Sequence, residues 1–485
     1  MRIALSSDTW PAQNRSFRGD WHLESAPDPI QPGTLSLEPT QRPSLRLDGP
    51  LTNRERPDYS YHSIIGLSQD AEDITLILGG YRSQRAPWFS RVDYGGKKPP
   101  VIEEVWDGYA VAIGAKLPLG GATRVQQMVF RSRRLRDWAR AIAPEFNEAV
   151  DAQLIGGTVE LPEPLEVNLG WGKVTLQWGV VGHSSTHGAN FRFFPEMLVD
   201  FTNPPTIDET WSLVITPLLQ FFTLATGEGD YLECVRYRGE EPDDGFGSPG
   251  IDSYGQSFYG GWFEWVSASW FAHPNDKPDV WDFSHILPAR ETAAELATML
   301  PRWIELQARA SEPLADYFAT LMWVSMTFEE HFAHLVRSLE VIHSIIQPGT
   351  RIPAPDFRAI RKKIKAALEG DPHRELIMSR LSHADEYSLL DRLTALLDTV
   401  GDRLLGYVGD VGSFARKVRD SRDSFTHTSD LRVLEHPELQ NAQTILDLLM
   451  RSVLLMQLGI SKQEADERVL RTEASRVLQY PVDRN

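Results

Sequence analysis

The segment RDSRDSFTHTSD, residues 419–430, contains three side chains with complementary chemistry: Arg422, Asp423 and His427. On a helix, residues four apart share a face, so Asp423 can accept a ring N–H of His427 and favour the protonated imidazole. Arg422 is offset from His427 by about 140° around the axis, which leaves its fork of donors available for a phosphate. An oriented acid/base histidine beside a cation is what RNA cleavage through the 2′-hydroxyl requires, without a metal ion.

The spacing of this pair carries little information by itself. An arginine followed by a histidine after four to six residues occurs four times, as Arg15/His22, Arg56/His62, Arg337/His343 and Arg422/His427. The last pair differs from the others because it ends an amphipathic helix, follows basic residues and includes a polar Asp423 next to the arginine. The alternative interpretation is an ordinary solvated helix end.

Eight basic residues are candidate RNA contacts. They are Arg358, Arg361, Lys362, Lys363 and Lys365 in one stretch, and Arg416, Lys417 and Arg419 directly before Arg422. Together they can form a local electropositive groove, and the alternative is two solvated helix faces. The formal net charge of −18 argues against a protein that coats nucleic acid generally. Residues 286–485 carry 25 Lys and Arg against 29 Asp and Glu, so most of the negative charge lies in residues 1–285.

Other kinds of site receive little support from the sequence. The single cysteine, Cys234, excludes an intrachain disulfide and a multi-thiolate zinc site, and it fits a cytoplasmic protein. His183 and His187 lie in a Ser/Gly segment that would not fix two imidazoles. His331 and His334 share a helix face, but no second ligand helix is evident, so a structural or groove-lining role is favoured. The sequence therefore predicts no metal and no cofactor.

The two halves of the chain differ in periodicity. Residues 1–285 contain short stretches rich in Val, Ile, Thr, Phe and Trp between Gly, Pro and Asp turns, with helical patterns at 131–143 and 210–227. From residue 286 apolar residues recur at three- and four-residue steps. The prediction is an α+β multidomain protein, with a β-rich, sandwich-like domain with helical inserts over 1–285 and an all-α helical bundle over 286–485.

No membrane span is predicted. The most apolar late segment, residues 446–460, is interrupted by Arg451 and is shorter than the roughly 20 residues needed to cross a bilayer. It is expected to be a buried helix.

The stretch Arg422-Asp423-Ser-Phe-Thr-His427 resembles the signature of the HEPN superfamily, in which an arginine is followed by a polar residue, three further residues and a histidine. Its surroundings, SFARKVRDSRDSFTHTSD before a long apolar helix, resemble the C-terminal domain of ApeA-like HEPN proteins. The stretches GDWHLE, PGTLSLEP, LRLDGPL, SIIGLS, DITLILGG and LRDWARA occur in the order of that family's N-terminal domain. The resemblance covers most of the chain.

This resemblance implies an anti-phage HEPN ribonuclease that cuts RNA, with tRNA as the expected target, and halts growth. By position, Arg422 would bind the scissile phosphate and His427 would act as general acid or base. Asp423, where many relatives have Asn, would orient the histidine or contact RNA. The resemblance also implies a homodimer through the HEPN domain, or a higher oligomer, that brings two motifs into one cleft. The N-terminal domain is then expected to be a regulatory or sensing part that meets a phage-derived trigger.

Two other functions stay open on the sequence. In one, the HEPN domain is catalytically inactive and serves as a binding or dimerisation module. In the other, the Trp-rich acidic β domain is the active part and binds carbohydrate or a phage protein, with the helical half as its support.

Overall fold

The computed structural model describes residues 14–38, 41–51, 63–70, 72–85, 103–117, 120–142, 161–185, 188–239, 250–251, 257–258, 262–267, 284–322, 326–382, 384–426 and 433–478.

The chain divides into two compact units. One comprises Met1–Asp282 with Pro288–Ala297, and the other comprises Phe283–Leu287 with Thr298–Asn485. In its described part the first unit is β-rich with helical inserts and the second is helical. The predicted fold class is therefore confirmed. The predicted domain boundary between residues 285 and 286 stays a prediction.

The strands, numbered along the chain, are β1 Arg15–Leu23, β2 Ala26–Leu37, β3 Ser44–Leu47, β4 Ser63–Ser68, β5 Asp73–Arg85, β6 Glu103–Ile113, β7 Val125–Ser132, β8 Leu165–Leu169, β9 Gly172–Ser185, β10 Gly188–Phe201, β11 Leu232–Gly239, β12 Gly250–Ile251, β13 Ser257–Phe258 and β14 Trp262–Ser267.

The first six strands close into a barrel in the order β3, β2, β1, β4, β5, β6, since β3 also pairs with β6. From β6 an open sheet continues in the order β14, β11, β7, β10, β9, β8. Strand β6 belongs to both the barrel and the open sheet, because its residues 104–107 pair with β3 and its residues 110–113 pair with β14. Between them lies Gly108, where an added Cβ would be 2.4 Å from Leu76 Cδ1. The strands thus form a barrel and a sheet where the sequence suggested a sandwich.

Apolar side chains fill the barrel. Alternate residues of β1, including Phe17, Trp21 and Leu23, point inward and are buried, as the two-residue period of a strand requires. Trp21 also donates its indole N–H to the Gly33 carbonyl at 3.2 Å, which satisfies its polar atom inside the core. The barrel interior is therefore a packed core.

The described part of the first unit contains the short α-helices α1 Arg133–Ala139, α2 Ile207–Thr210, α3 Thr216–Thr226 and α4 Ala289–Thr292. A π-helical turn joins α2 to α3, and Gly227 ends α3 with φ 82°. Pro217 lies in the first turn of α3, directly after this π-helical turn. The predicted helix at 210–227 is confirmed, and Trp138 of α1 packs against Phe222 of α3 with ring centroids 5.6 Å apart.

The helices of the second unit are α5 Leu296–Met322, α6 Phe328–Ile346, α7 Ala354–Ala367, α8 Arg374–Arg380, α9 Leu389–Thr399, α10 Asp402–Val408, α11 Val411–Thr426, α12 His436–Gln457 and α13 Lys462–Val469.

Helix α12 forms the centre of the second unit. It packs against α6, α9, α10 and α13, and nearly all residues from Ile445 to Leu455 are buried. The predicted buried helix over 446–460 is therefore confirmed for most of its length. In the described part of the chain, no helix combines the length and the apolar character needed to cross a membrane.

Candidate active site

Helix α11 places the candidate residues at the edge of a packed interface. The helix begins where Asp410 Oδ1 accepts the backbone N–H of Ser413 at 2.6 Å. Ala415, Val418 and Ser421 are buried at three-residue steps, and this face packs on α6 and α9. At the end of the same face, the ring of Phe425 meets Phe332 of α6 edge-on, with centroids 5.8 Å apart. Residues beside this face point to its rim.

Arg422 is one such rim residue. Its side chain is 34% exposed, and Nη1 donates to Asp423 Oδ1 at 3.2 Å. Nη2 lies 3.7 Å from Oε2 of Glu340, which belongs to α6. Glu340 and Asp423 are 31% and 47% exposed, so water reaches all three side chains. The guanidinium is thus held between two helices at a position that a phosphate can approach.

A second Arg-Asp pair lies one turn earlier. Arg419 donates to Asp420 Oδ1 from Nε at 2.8 Å and from Nη2 at 2.6 Å. Arg416, like Lys417, is exposed. Residues three, four and seven apart share a helix face, so Arg416, Arg419 and Asp423 form one line along α11. Lys417 lies about 100° around the helix from Arg416. The three basic residues before Arg422 therefore do not all face the same way.

His427 lies outside the described residues, directly after the last residue of α11. In an uninterrupted helix, the next position on the line through Arg416 and Asp423 would be four residues after Asp423, which is His427. The structure therefore places Arg422 and Asp423 next to each other, and the role of His427 stays a prediction.

The cations of α7 are the second candidate group. Arg358, Lys362, Lys363 and Lys365 are exposed and Arg361 is half-buried. Helix α7 packs on α8, whereas α11 packs on α6, α9 and α10. Among the described residues, no hydrogen bond or ion pair joins α7 to α11. The predicted common groove formed by both groups stays a prediction.

Two family models match the chain. ApeA N-terminal domain 1 matches residues 16–303, and Apea-like HEPN matches residues 334–464. The chain belongs to the ApeA-like HEPN family. Comparison with curated proteins and with solved structures gave no match.

As an ApeA-like HEPN protein, the chain is a HEPN-type anti-phage defence protein. HEPN domains are generally ribonucleases that bind RNA and act as dimers. The matched HEPN region contains Arg422, Asp423 and Glu340 as well as the cations of α7. The candidate site and the α7 cations thus both lie within the part of the chain that the HEPN model matches.

Glu340 is the site residue that sequence reasoning missed. It lies far from Arg422 in the chain, and on the sequence it is one of many acidic residues on an amphipathic helix. Only the packing of α6 against α11 brings its carboxylate to the guanidinium. No local sequence signal predicts such a contact.

A buried polar cluster joins α5 to α12. Tyr317 donates its hydroxyl to Asp447 Oδ1 at 2.8 Å, and Arg451 Nη2 lies 2.9 Å from Asp447 Oδ2. Burial raises the pKa of Tyr317 well above its ordinary value, and the nearby Asp447 carboxylate adds to this. Burial alone would lower the pKa of Arg451, but Asp447 and Tyr317 together outweigh it and the pKa is raised. Arg451 therefore remains charged inside the bundle because its carboxylate partner is buried with it.

His331 and His334, on α6, each contact a polar side chain of the protein. His331 Nδ1 forms a hydrogen bond with the Gln443 amide, and burial lowers the pKa of His331. His334 Nδ1 lies 3.9 Å from Asp316 Oδ1. In the described ranges, no cluster of three metal-ligating side chains is present. These contacts fit the structural interpretation, whereas His187, of the pair with His183, lies outside the described residues.

Proposed function

We propose that this protein is a metal-independent endoribonuclease that cuts RNA, with tRNA as the expected target, to halt growth during phage infection. The observation that carries the proposal is the placement of Arg422. Its guanidinium is partly exposed at the rim of the α6–α11 interface, next to Asp423, within the matched HEPN region. His427 follows five residues later, as the HEPN signature requires.

The proposed reaction needs only a base, an acid and a cation. One imidazole, that of His427, removes the proton of the 2′-hydroxyl, and the 2′-oxygen attacks the adjacent phosphorus. The bond to the 5′-oxygen breaks, and that oxygen leaves with a proton from a protonated imidazole. Arg422 donates to the phosphoryl oxygens as negative charge develops on them. The products are a 2′,3′-cyclic phosphate and a 5′-hydroxyl.

The proposal includes a homodimer formed through the HEPN domain. The reaction uses a base and an acid, and one chain supplies one His427. A second copy would supply the second imidazole if the two motifs meet in one cleft, and assembly into a higher oligomer is compatible with this. The N-terminal domain would then be the regulatory part that meets a phage-derived trigger.

Basic residues around the site are the proposed RNA contacts. Arg416, Lys417 and Arg419 precede Arg422 on α11, and two of them share the line of Asp423. Arg358, Arg361, Lys362 and Lys365 of α7 are the second group. Lys363, which the sequence grouped with them, lies about 150° around the helix from the middle of these four and is not among the proposed contacts. Contacts to phosphates position an RNA without reading its sequence, and they make binding dependent on salt concentration.

The experiment is RNA cleavage by purified protein in EDTA, with the wild type compared with His427→Ala and Arg422→Ala. Loss of one transition-state donor typically costs about 10²–10³ in rate, so both variants should fall below detection in a standard assay. Arg419→Ala is the matched control, because Arg419 forms the same kind of pair with its own neighbouring aspartate. It should retain cleavage within about ten-fold, through weaker RNA binding alone.

Other outcomes would favour the other functions. Cleavage by the double variant at the wild-type rate would contradict the assignment of Arg422 and His427. Absence of cleavage by wild-type protein with retained RNA binding would favour an inactive HEPN binding or dimerisation module. If biological activity survived deletion of residues 286–485, the β-rich domain would be the active part, as a binder of carbohydrate or a phage protein.

A further inference from the structure

The pair of helices α7 and α8 exposes an unusually large share of its surface. Phe357 is the one residue that is buried on α7, and α8 has none. Ile360 of α7 is 41% exposed and Leu376 of α8 is 61% exposed. By contrast, α12 of the same unit buries most of its length. Packing within the described part of the second unit therefore does not explain which side chains α7 exposes.

Four of the five α7 cations form one stripe. Arg358, Arg361, Lys362 and Lys365 occupy positions i, i+3, i+4 and i+7, which share one helix face. Lys363 lies about 150° from the middle of this stripe. With a rise of 1.5 Å per residue, the stripe is about 10 Å long. The sequence names five candidate cations here, and helix geometry separates four of them from the fifth.

The stripe is electrostatically unsatisfied within the described residues. Arg358, Lys362 and Lys365 form no ion pair there. Arg361 stacks its guanidinium over the ring of Phe357, with 5.8 Å to the ring centroid, and this contact anchors the stripe to the one buried side chain of the helix. On a chain with a net charge of −18, four aligned cations without carboxylate partners favour an external polyanion.

Helix α7 offers phosphate contacts but no exposed aromatic side chain. Proteins that grip single-stranded RNA place exposed aromatic side chains between their cations, so that bases can stack. The one aromatic residue of α7 is Phe357, which is 6% exposed. A base-paired stem, in contrast, presents rows of phosphates and no free base faces. Over about 10 Å a duplex presents about three phosphates per strand, which matches the length of the stripe.

We propose that the stripe of Arg358, Arg361, Lys362 and Lys365 docks on the phosphate backbone of a base-paired stem in the RNA substrate. This inference rests on the proposed function in so far as the substrate is RNA. It makes the substrate a folded RNA with a stem, held by α7 while another part of the same molecule is cut. Lys363 takes no part in this contact.

The test is equilibrium binding to a blunt RNA duplex of about sixteen base pairs, with single-stranded oligo(U) of the same length as the comparison probe. Full-length protein with His427→Ala is used so that cleavage does not interfere. Lys362→Gln is compared with Lys363→Gln, because these variants remove the same charge from neighbouring exposed positions of one helix. Thermal unfolding of each variant checks that the fold is kept.

Lys362→Gln should weaken duplex binding about five-fold at 0.15 M salt and lower the slope of log affinity against log salt by about one. Lys363→Gln should change affinity by less than two-fold. Lys362→Gln with Lys365→Gln should weaken binding about thirty-fold. Equal effects of Lys362→Gln and Lys363→Gln, or oligo(U) binding as tightly as the duplex, would overturn the proposal. Failure to bind either RNA would also overturn it, and would direct the stripe to an acidic protein surface.

These outcomes are separable from those of the proposed function. If duplex binding depended on Lys362 but the wild-type protein cut no RNA, the docking surface would be supported and the proposed ribonuclease activity would be contradicted. Cleavage that requires His427, together with duplex binding that ignores Lys362, would support the ribonuclease and contradict the docking surface.

Discussion

Replacing Asp423 with asparagine is expected to tighten RNA binding without loss of turnover. Asp423 Oδ1 accepts from Arg422 Nη1 at 3.2 Å, and an asparagine keeps an oxygen in that position. The change therefore removes a negative charge and leaves the guanidinium in place. A phosphate on the far side of the guanidinium would lie about 6 Å from the Asp423 carboxylate. The charge removed is thus close enough to act on the substrate directly.

The size of this effect follows from the distance and the exposure. At about 6 Å, repulsion between two unit charges is about 0.7 kcal/mol in water and about 1.4 kcal/mol at an effective dielectric constant of about 40. Because Asp423 is 47% exposed, this range is appropriate and the buried limit is not. It corresponds to a three- to ten-fold lower KM for RNA, with kcat unchanged within about two-fold.

The assay is steady-state cleavage in EDTA at 0.15 M salt, with Asp420→Asn as the matched control. Asp420 pairs with Arg419 in the same way but lies about 160° around the helix from Arg422, so its replacement should change KM by about two-fold or less. If Asp423→Asn abolished cleavage in a folded protein, the carboxylate charge itself would be needed at His427. The claim that the Asp423 charge acts mainly by repelling the RNA phosphate would then be wrong.

Three further predictions concern stability. Burial raises the pKa of Asp230 to about 7, so the first unit should lose stability as pH rises from about 4 to 7. Asp230→Asn should remove up to about 4 kcal/mol of that loss, measured as the free energy of unfolding in denaturation curves at each pH. Asp447→Ala leaves the buried Arg451 without its carboxylate and should lower the free energy of unfolding by about 3–5 kcal/mol in urea titrations. Gly66→Ala would place its Cβ 2.2 Å from the ring of Trp21 and should lower the melting temperature of the barrel, at a cost of about 1–3 kcal/mol.

Each of these has a control and a contradicting result. For Asp230, an equal increase in the free energy of unfolding from Asp230→Asn at pH 4 and at pH 7 would show that ionisation of Asp230 does not cause the loss of stability. For Asp447, Glu312→Ala breaks an exposed pair with Arg337 and should cost less than about 1 kcal/mol, so equal losses would contradict the role of burial. For Gly66, Gly170→Ala is the control, since nothing lies within 4 Å of a Cβ added there.

The fold class could be predicted because periodicity depends on local chemistry. The two-residue alternation of β1 and the three- and four-residue steps of α11 each follow from one buried face. The barrel could not be predicted, because its closure depends on β6 changing partner at Gly108, a contact between strands distant in the chain. Helix α5 is interrupted at Ala310, whose backbone is not helical (φ −131°, ψ 30°), three residues before Pro313.

The candidate site shows the same division between local and distant information. The adjacency of Arg422 and Asp423 is local, and the structure adds that the aspartate contacts the arginine directly. Glu340 reaches the guanidinium across an interface that no spacing encodes. Helix geometry separates four of the five α7 cations from Lys363, which the composition of the stretch does not show.

The most direct test of the central claim is sequencing of RNA ends from phage-infected cells that express either the wild type or His427→Ala. If the protein is the proposed ribonuclease, wild-type cells should contain new 2′,3′-cyclic phosphate and 5′-hydroxyl ends, concentrated at defined positions in tRNA. These ends should be absent from cells with His427→Ala. Identical end profiles in the two strains, with both proteins folded and equally abundant, would contradict the proposed function.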